Sequence, residues 1–301
     1  MITYRSILTL SILFLSMLYS CNSQPVQKEE WILVGDGFQF PEGPAWDAQG
    51  NLYVSNCNSN WIAKIGEAGI DTFLLASDTT FGKTNGLKVR KSGSILACDF
   101  GRGAILEISP TGDSHVLIPG YQEQPFNRPN DIIVTGAGKI YFTDPKSYGA
   151  EKTDGRLFYY DPAADEVQLV AESLAFPNGL GISPVDHKLY VCESARDRIL
   201  RFNIEENGTL ANKQTFIELP GGDPDGIEFD VKGNLYVAHF GSGTVFVISP
   251  DGEILQKIKA PGKKPSNLEF GGADLKTLYL TEDETNSVYK IQVKYPGQKV
   301  K

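Results

Sequence analysis

The sequence predicts an all-β fold, a six-bladed β-propeller with four strands in each blade. Six times, an oxygen-bearing side chain stands 11 or 12 residues ahead of a Tyr or Leu in a short apolar run. The pairs are Glu42 with Tyr53, Asn85 with Leu96, Asn130 with Tyr141, Asn178 with Tyr190, Asp225 with Tyr236, and Asn267 with Tyr279. Successive polar members lie 43, 45, 48, 47 and 42 residues apart, the period of a propeller blade. Each unit also divides into four runs rich in Val, Ile, Leu, Tyr and Phe, separated by Gly, Asp and Pro turns. No run holds the 3.6-residue period that helix would require.

Taken in order, the chain opens on a leader. Arg5 precedes an apolar run over 7–18, and Leu18-Tyr19-Ser20-Cys21 resembles a bacterial lipobox. The expectation is an exported bacterial lipoprotein, with a signal peptide over 1–20, a lipidated Cys21, a tether over 21–28, and an anchor in the periplasm or outer membrane. The run EEWILVG (29–35) is a strand ahead of the first repeat, whereas the sixth repeat ends near Val293 with only three strands. The N-terminal strand is therefore expected to complete the last blade and close the ring. The fifth repeat displays the pattern best: PDGIEFD (224–230), NLYVAHF (234–240), TVFVISP (244–250) and EILQKIKA (253–260). The propeller is expected over 29–295, with a tail over 296–301. A closed ring accommodates this length as one unit.

A net charge of -9 argues against nucleic acid, whose phosphates call for a basic surface. The expected partner is a small-molecule substrate, the only membrane link is the lipid, and the chain is expected to be a monomer. With Cys21 lipidated, Cys57, Cys98 and Cys192 remain, an odd count that gives no disulfide framework and suits buried thiols.

In a propeller the first strand of each blade lines the central channel, so the six polar residues that open those strands converge there. Gly follows four of them and Pro precedes four, as a bend close to the axis requires. Asn-Gly and Asp-Gly would recur in turns for their own sake, but Glu42 has no such turn role and keeps the same register. Six oxygen donors without His or Cys form a hard-cation set, and two facing carboxylates, Glu42 and Asp225, need a cation between them. Calcium is the expected cofactor, with magnesium, manganese or zinc as alternatives and zinc least in keeping with the donors. A second polar ring ends the second strands: Asn56, Asp99, Asp144, Glu193, His239 and Glu282. It either faces substrate, with His239 as a base near neutrality, or consists of ordinary strand ends.

At FPEGPAW, NRPND with IYFTDPKSYG, FPNGLGIS, DPDGIEFD and PSNLEFGGADLKTLYLT the chain resembles the senescence marker protein, gluconolactonase and luciferin-regenerating enzyme family of six-bladed propellers. The resemblance spans essentially the whole chain after the leader. It implies a cation held by Glu42, Asn130, Asn178 and Asp225, and hydrolysis of sugar lactones or, in relatives, of other esters and phosphofluoridates. It also implies substrate contacts from Arg128, Asn85 and Asn267. Asp225 would take a proton from the attacking water. The segment KSYGAEKTDG (146–155) departs from the commoner Pro-Pro-Tyr-Gly form, so the rim loop over the substrate takes its own shape.

Overall fold

A computed structural model describes residues 30–298, so the leader and Cys21 lie outside the described residues. Six four-stranded antiparallel sheets form a ring, and the one helical element among the described residues is a 3-10 turn, Ser194–Arg196. The first strands of the blades are Pro41–Trp46, Thr84–Val89, Ile132–Val134, Pro177–Ile182, Asp223–Phe229 and Pro265–Gly271. They touch one another around the axis.

The ring closes as the sequence predicts. Ile32–Gly35 pairs antiparallel with Ser287–Gln292, Ile32 opposite Lys290 and Leu33 opposite Tyr289, and becomes the outer strand of the sixth blade. Ile32 and Leu33 are exposed, so the strand is held by its ladder and by what surrounds it. Trp31 Nε1 donates to the Lys259 carbonyl at 2.9 Å, and Phe38 stacks on Trp61 at 5.6 Å between the sixth and first blades. Deleting 29–37 is expected to lower the melting temperature by at least about 10 °C, roughly 3–5 kcal/mol for a chain of this size. An unchanged melting temperature would remove the closure argument.

The core is not central but lies in the six seams between blades. The repeated second-strand residues Tyr53, Leu96, Tyr141, Tyr190, Tyr236 and Tyr279 each sit in a different seam. This is why the sequence repeats them: one large side chain per blade must fill the wedge toward its neighbour. Cys57, Cys98 and Cys192 are free and buried. Residues 296–298 are tied to the ring, because the Val231 amide donates to the Pro296 carbonyl at 2.9 Å and Gln298 Nε2 to the Ile182 carbonyl at 2.9 Å.

Candidate active site on the propeller axis

Each first strand is interrupted at its polar residue. The pairing register shifts between Glu42 and Ala45, between Thr84 and Leu87, between Pro177 and Leu180, between Pro224 and Ile227, and between Pro265 and Asn267. A bulge adds a residue and turns its side chain out of the sheet plane. In the third blade the strand begins only at Ile132, and Asn130 is set just before it by its own amide, bonded to the Thr143 carbonyl at 2.9 Å. All six polar residues are buried.

The bulges require backbone against backbone. Gly43 has φ +51°, and a Cβ there would stand 2.3 Å from the Asn85 carbonyl oxygen. A Cβ on Gly226 would meet Asn267 Oδ1 at 2.1 Å. Hydroxyls and amides join the strands across blades: Ser55 Oγ donates to the Asn85 carbonyl at 2.6 Å, the Gly86 amide to the Asn130 carbonyl at 2.7 Å, and Ser266 Oγ to the Pro41 carbonyl at 3.0 Å.

Electrostatically the cluster is acidic and short of donors. Burial pushes the Glu42 carboxyl up to about 8, opposed by the Gly43 amide that bonds its Oε2 at 3.0 Å and reinforced by Asp131. Asp225 is pushed well above the usual carboxylate range, by burial first and then by Glu42 and Asp283. Among the described residues neither Glu42 nor Asp225 forms an ion pair. Asp225 Oδ1 and Asn85 Oδ1 are buried without a hydrogen-bond partner. Asn267 differs, because its Oδ1 accepts from the Leu268 amide at 2.8 Å and its amide nitrogen is left for Glu42. Buried acids beside unpartnered oxygens fit a divalent cation with oxygen ligands. Among the described residues no three His, Cys, Asp or Glu side chains are grouped to hold a metal, so a cation here would depend on the amides of Asn130 and Asn178 beside the two carboxylates.

The second-strand ring takes the strand-end role instead. Asp99 accepts from the Gly82 and Lys83 amides at 2.8 and 2.9 Å, Asp144 from the Arg128 amide at 2.7 Å, and Glu193 from the Ala175 amide at 2.8 Å. Glu282 accepts from the Lys264 amide at 2.6 Å, and Asn56 from the Gln39 amide at 2.6 Å. His239 does the same work with Nε2 on the Leu219 carbonyl at 2.8 Å and Nδ1 on Ser242 Oγ at 2.7 Å. It is fully buried, burial lowers its basicity, and neither ring nitrogen remains for a substrate. Every member thus ties down the loop that feeds the first strand of its own blade.

Arg128 is fixed by its backbone amide, and its guanidinium lies over Phe100, 5.5 Å from the ring centroid. The 146–155 loop leans across the fourth blade. Tyr148 donates its hydroxyl to the Asp223 carboxylate at 2.8 and 2.9 Å and packs edge-on to Phe176, while Arg196 Nε donates to the Ala150 carbonyl at 3.0 Å. Two further buried acids carry no signal in the repeat: Asp131, pushed by burial up to about 6, and Asp283, one residue past Glu282, whose two oxygens are buried with no hydrogen bond of full geometry.

The SMP-30/Gluconolactonase/LRE-like region matches residues 40–283. A gluconolactonase of Zymomonas mobilis is 32% identical over 297 residues, covering 88% of this chain and 82% of that one. The diisopropyl-fluorophosphatase of Loligo vulgaris is 29% identical over 206 residues, 65% of each chain. The structure of a gluconolactonase from Xanthomonas campestris superposes with a TM-score of 0.79 at 29% identity, covering 89% of this chain and 90% of that one.

Proposed function

The chain belongs to the SMP-30/Gluconolactonase/LRE-like family, and from that membership and the axial oxygens we propose that it is a divalent-cation-dependent hydrolase of sugar lactones, with calcium as the cation. The observation that carries the reading is the buried Asp225 Oδ1, unpartnered and electrostatically opposed to Glu42. Glu42, Asn130, Asn178 and Asp225 would hold the cation, which when bound polarises the ester carbonyl and offsets the charge that develops on its oxygen. Asp225 accepts a proton from the attacking water. The water oxygen joins the carbonyl carbon, the ring C–O bond breaks, and the proton passes to the departing ring oxygen to give the open hydroxy acid. Arg128 orients a polar group of the substrate. Asn85 supplies a free acceptor beside it, and Asn267 a donor. The lipobox-like leader supports action at the cell envelope through Cys21.

The likeness to diisopropyl-fluorophosphatase favours phosphofluoridate hydrolysis on the same cluster as the second reading. Acid release from glucono-δ-lactone and fluoride release from a phosphofluoridate, each with and without chelator, separate the two. A chelator-sensitive melting temperature with no turnover on either would leave only a ligand-holding ring.

Cation removal has a definite expected size. At a thousandfold excess over Kd, binding adds about 4 kcal/mol, roughly 8–16 °C in melting temperature. The gain grows with pH. Without cation, Glu42 titrates near 8, above the 4.5 of an unfolded glutamate, so its ionisation costs stability progressively as pH rises between those values. A cation reverses that cost, and melting scans at pH 6 and pH 9 should differ accordingly. Equal shifts at both pH values would count against these ligands.

A further inference from the structure

The residue that follows each polar member of the second-strand ring occupies one register around the axis: Cys57, Phe100, Pro145, Ser194, Phe240 and Asp283. In two blades it bonds the carbonyl immediately ahead of the next blade's axial residue. Cys57 Sγ donates to the Thr84 carbonyl at 3.1 Å, and Ser194 Oγ to the Pro224 carbonyl at 2.6 Å. By the same register Asp283 faces Pro41 and Glu42, where a carboxylate has no proton to offer a carbonyl and Ser266 already occupies the one on Pro41.

Asp283 is anchored there by its amide, which donates to the Lys264 carbonyl at 2.9 Å. The residue is 8% exposed, and both carboxylate oxygens are buried with no hydrogen bond of full geometry, because the neighbouring Ser266 hydroxyl, which favours the charged form, is already bonded to the Pro41 carbonyl and Thr281 Oγ1. Its charged neighbours are Glu42 on the first blade, Glu282 on its own strand and Lys264 ahead of the blade, and it acts in turn on Asp225 and Cys57. No ion pair relieves it among the described residues, and the Lys264 ammonium lies over the Phe240 ring at 5.7 Å. A carboxyl group with acceptor capacity left over suits neighbouring hydroxyl donors, and charge-assisted O–H···O bonds are among the stronger ones available. A site built to accept from hydroxyls also discriminates against analogues that lack them.

We propose that Asp283 is the specificity residue of this site and accepts hydrogen bonds from adjacent hydroxyls of a polyhydroxylated lactone. The inference rests on the lactonase reading for the identity of the reacting group but not for the polyol contact. Its test compares glucono-δ-lactone with δ-valerolactone, which carries no hydroxyl, in the calcium-loaded protein. In Asp283→Asn the selectivity between them should fall about 10- to 100-fold, carried by KM. Asp283→Ser should follow, and an unchanged selectivity in both variants overturns the proposal, as does a common loss of kcat on both lactones.

Calorimetry with 1,5-anhydroglucitol, a cyclic polyol that cannot be hydrolysed, supplies the independent arm. Binding to the unmodified protein and its loss in Asp283→Asn supports the contact even if neither lactone is turned over, in which case the lactonase reading alone fails. Equal polyol affinity in the two proteins overturns the contact whatever the kinetics.

Discussion

Asp225→Asn yields a protein that melts higher than the unmodified one without cation and turns over at most about one hundredth as fast. The two effects share one cause. Asp225 is buried beside Glu42, and its Oδ1 has no partner, so the carboxylate is a cost to the cation-free fold. A neutral amide of the same shape removes that repulsion. Relief of one unsatisfied buried acid is worth about 1–3 kcal/mol, or roughly 3–8 °C. The amide also cannot take a proton from water, and loss of a general base costs about 10²–10⁴-fold. Glu42→Gln should share the stability gain and lose more of the cation-dependent shift in melting temperature. Parallel scans with and without calcium, beside lactone kinetics, check both. A variant that keeps full activity removes the base assignment, and one that melts lower without cation removes the electrostatic account.

The ring, its closure and its axis were legible because each rests on a repeat. The six tyrosine-register residues recur since each must fill a similar wedge, and the six polar residues recur since each opens the strand beside the axis. The Asn-Gly and Asp-Gly pairs pointed to bends, and the structure supplies them as bulges that aim the side chains. What stayed hidden does not repeat. Asp99, Asp144, Glu193 and Glu282 look like a second functional ring in the sequence, yet each accepts from backbone amides of the loop ahead of its own blade. Neighbouring positions along a strand face opposite sides, so the axial counterpart of Glu282 is Asp283. Its register mates are Cys, Phe, Pro, Ser and Phe, a chemically mixed set from which no pattern stands out.

Nor did the repeat disclose the ion pairs that cross the axis. Lys88, on the first strand of the second blade, reaches across the axis to Glu228 Oε1 of the fifth blade and to Glu269 Oε2 of the sixth at 2.9 Å. Lys88 and Glu228 line a cavity of about 10 Å³ that also touches Asp131, room for about one water, whereas Glu269 lines a second cavity of about 910 Å³ together with Trp46. Burial alone would lower the basicity of Lys88, but the two glutamates outweigh it and hold the ammonium above its usual range. Burial pushes Glu269 up to about 8 even with Lys88 opposing it.

Lys88→Met would therefore strand two glutamates and Asp131 in the channel without their cation. Removing one partner of such a buried group costs about 3–5 kcal/mol, so the melting temperature should drop by roughly 10 °C near neutral pH. The penalty has a sign in pH. Carboxylates with raised values are tolerated when protonated, so the gap between variant and parent is small near pH 5 and widens toward pH 8 as Glu269 and Asp131 must ionise unpaired. Paired melting curves across that range measure the gap, and a constant difference would mean that Lys88 fills space without balancing charge. Lys88→Met with Glu228→Gln and Glu269→Gln should recover much of the loss, because the amides keep the volume and carry no charge. The axis thus carries two acidic layers, and in one of them a lysine of the chain itself offsets part of the charge.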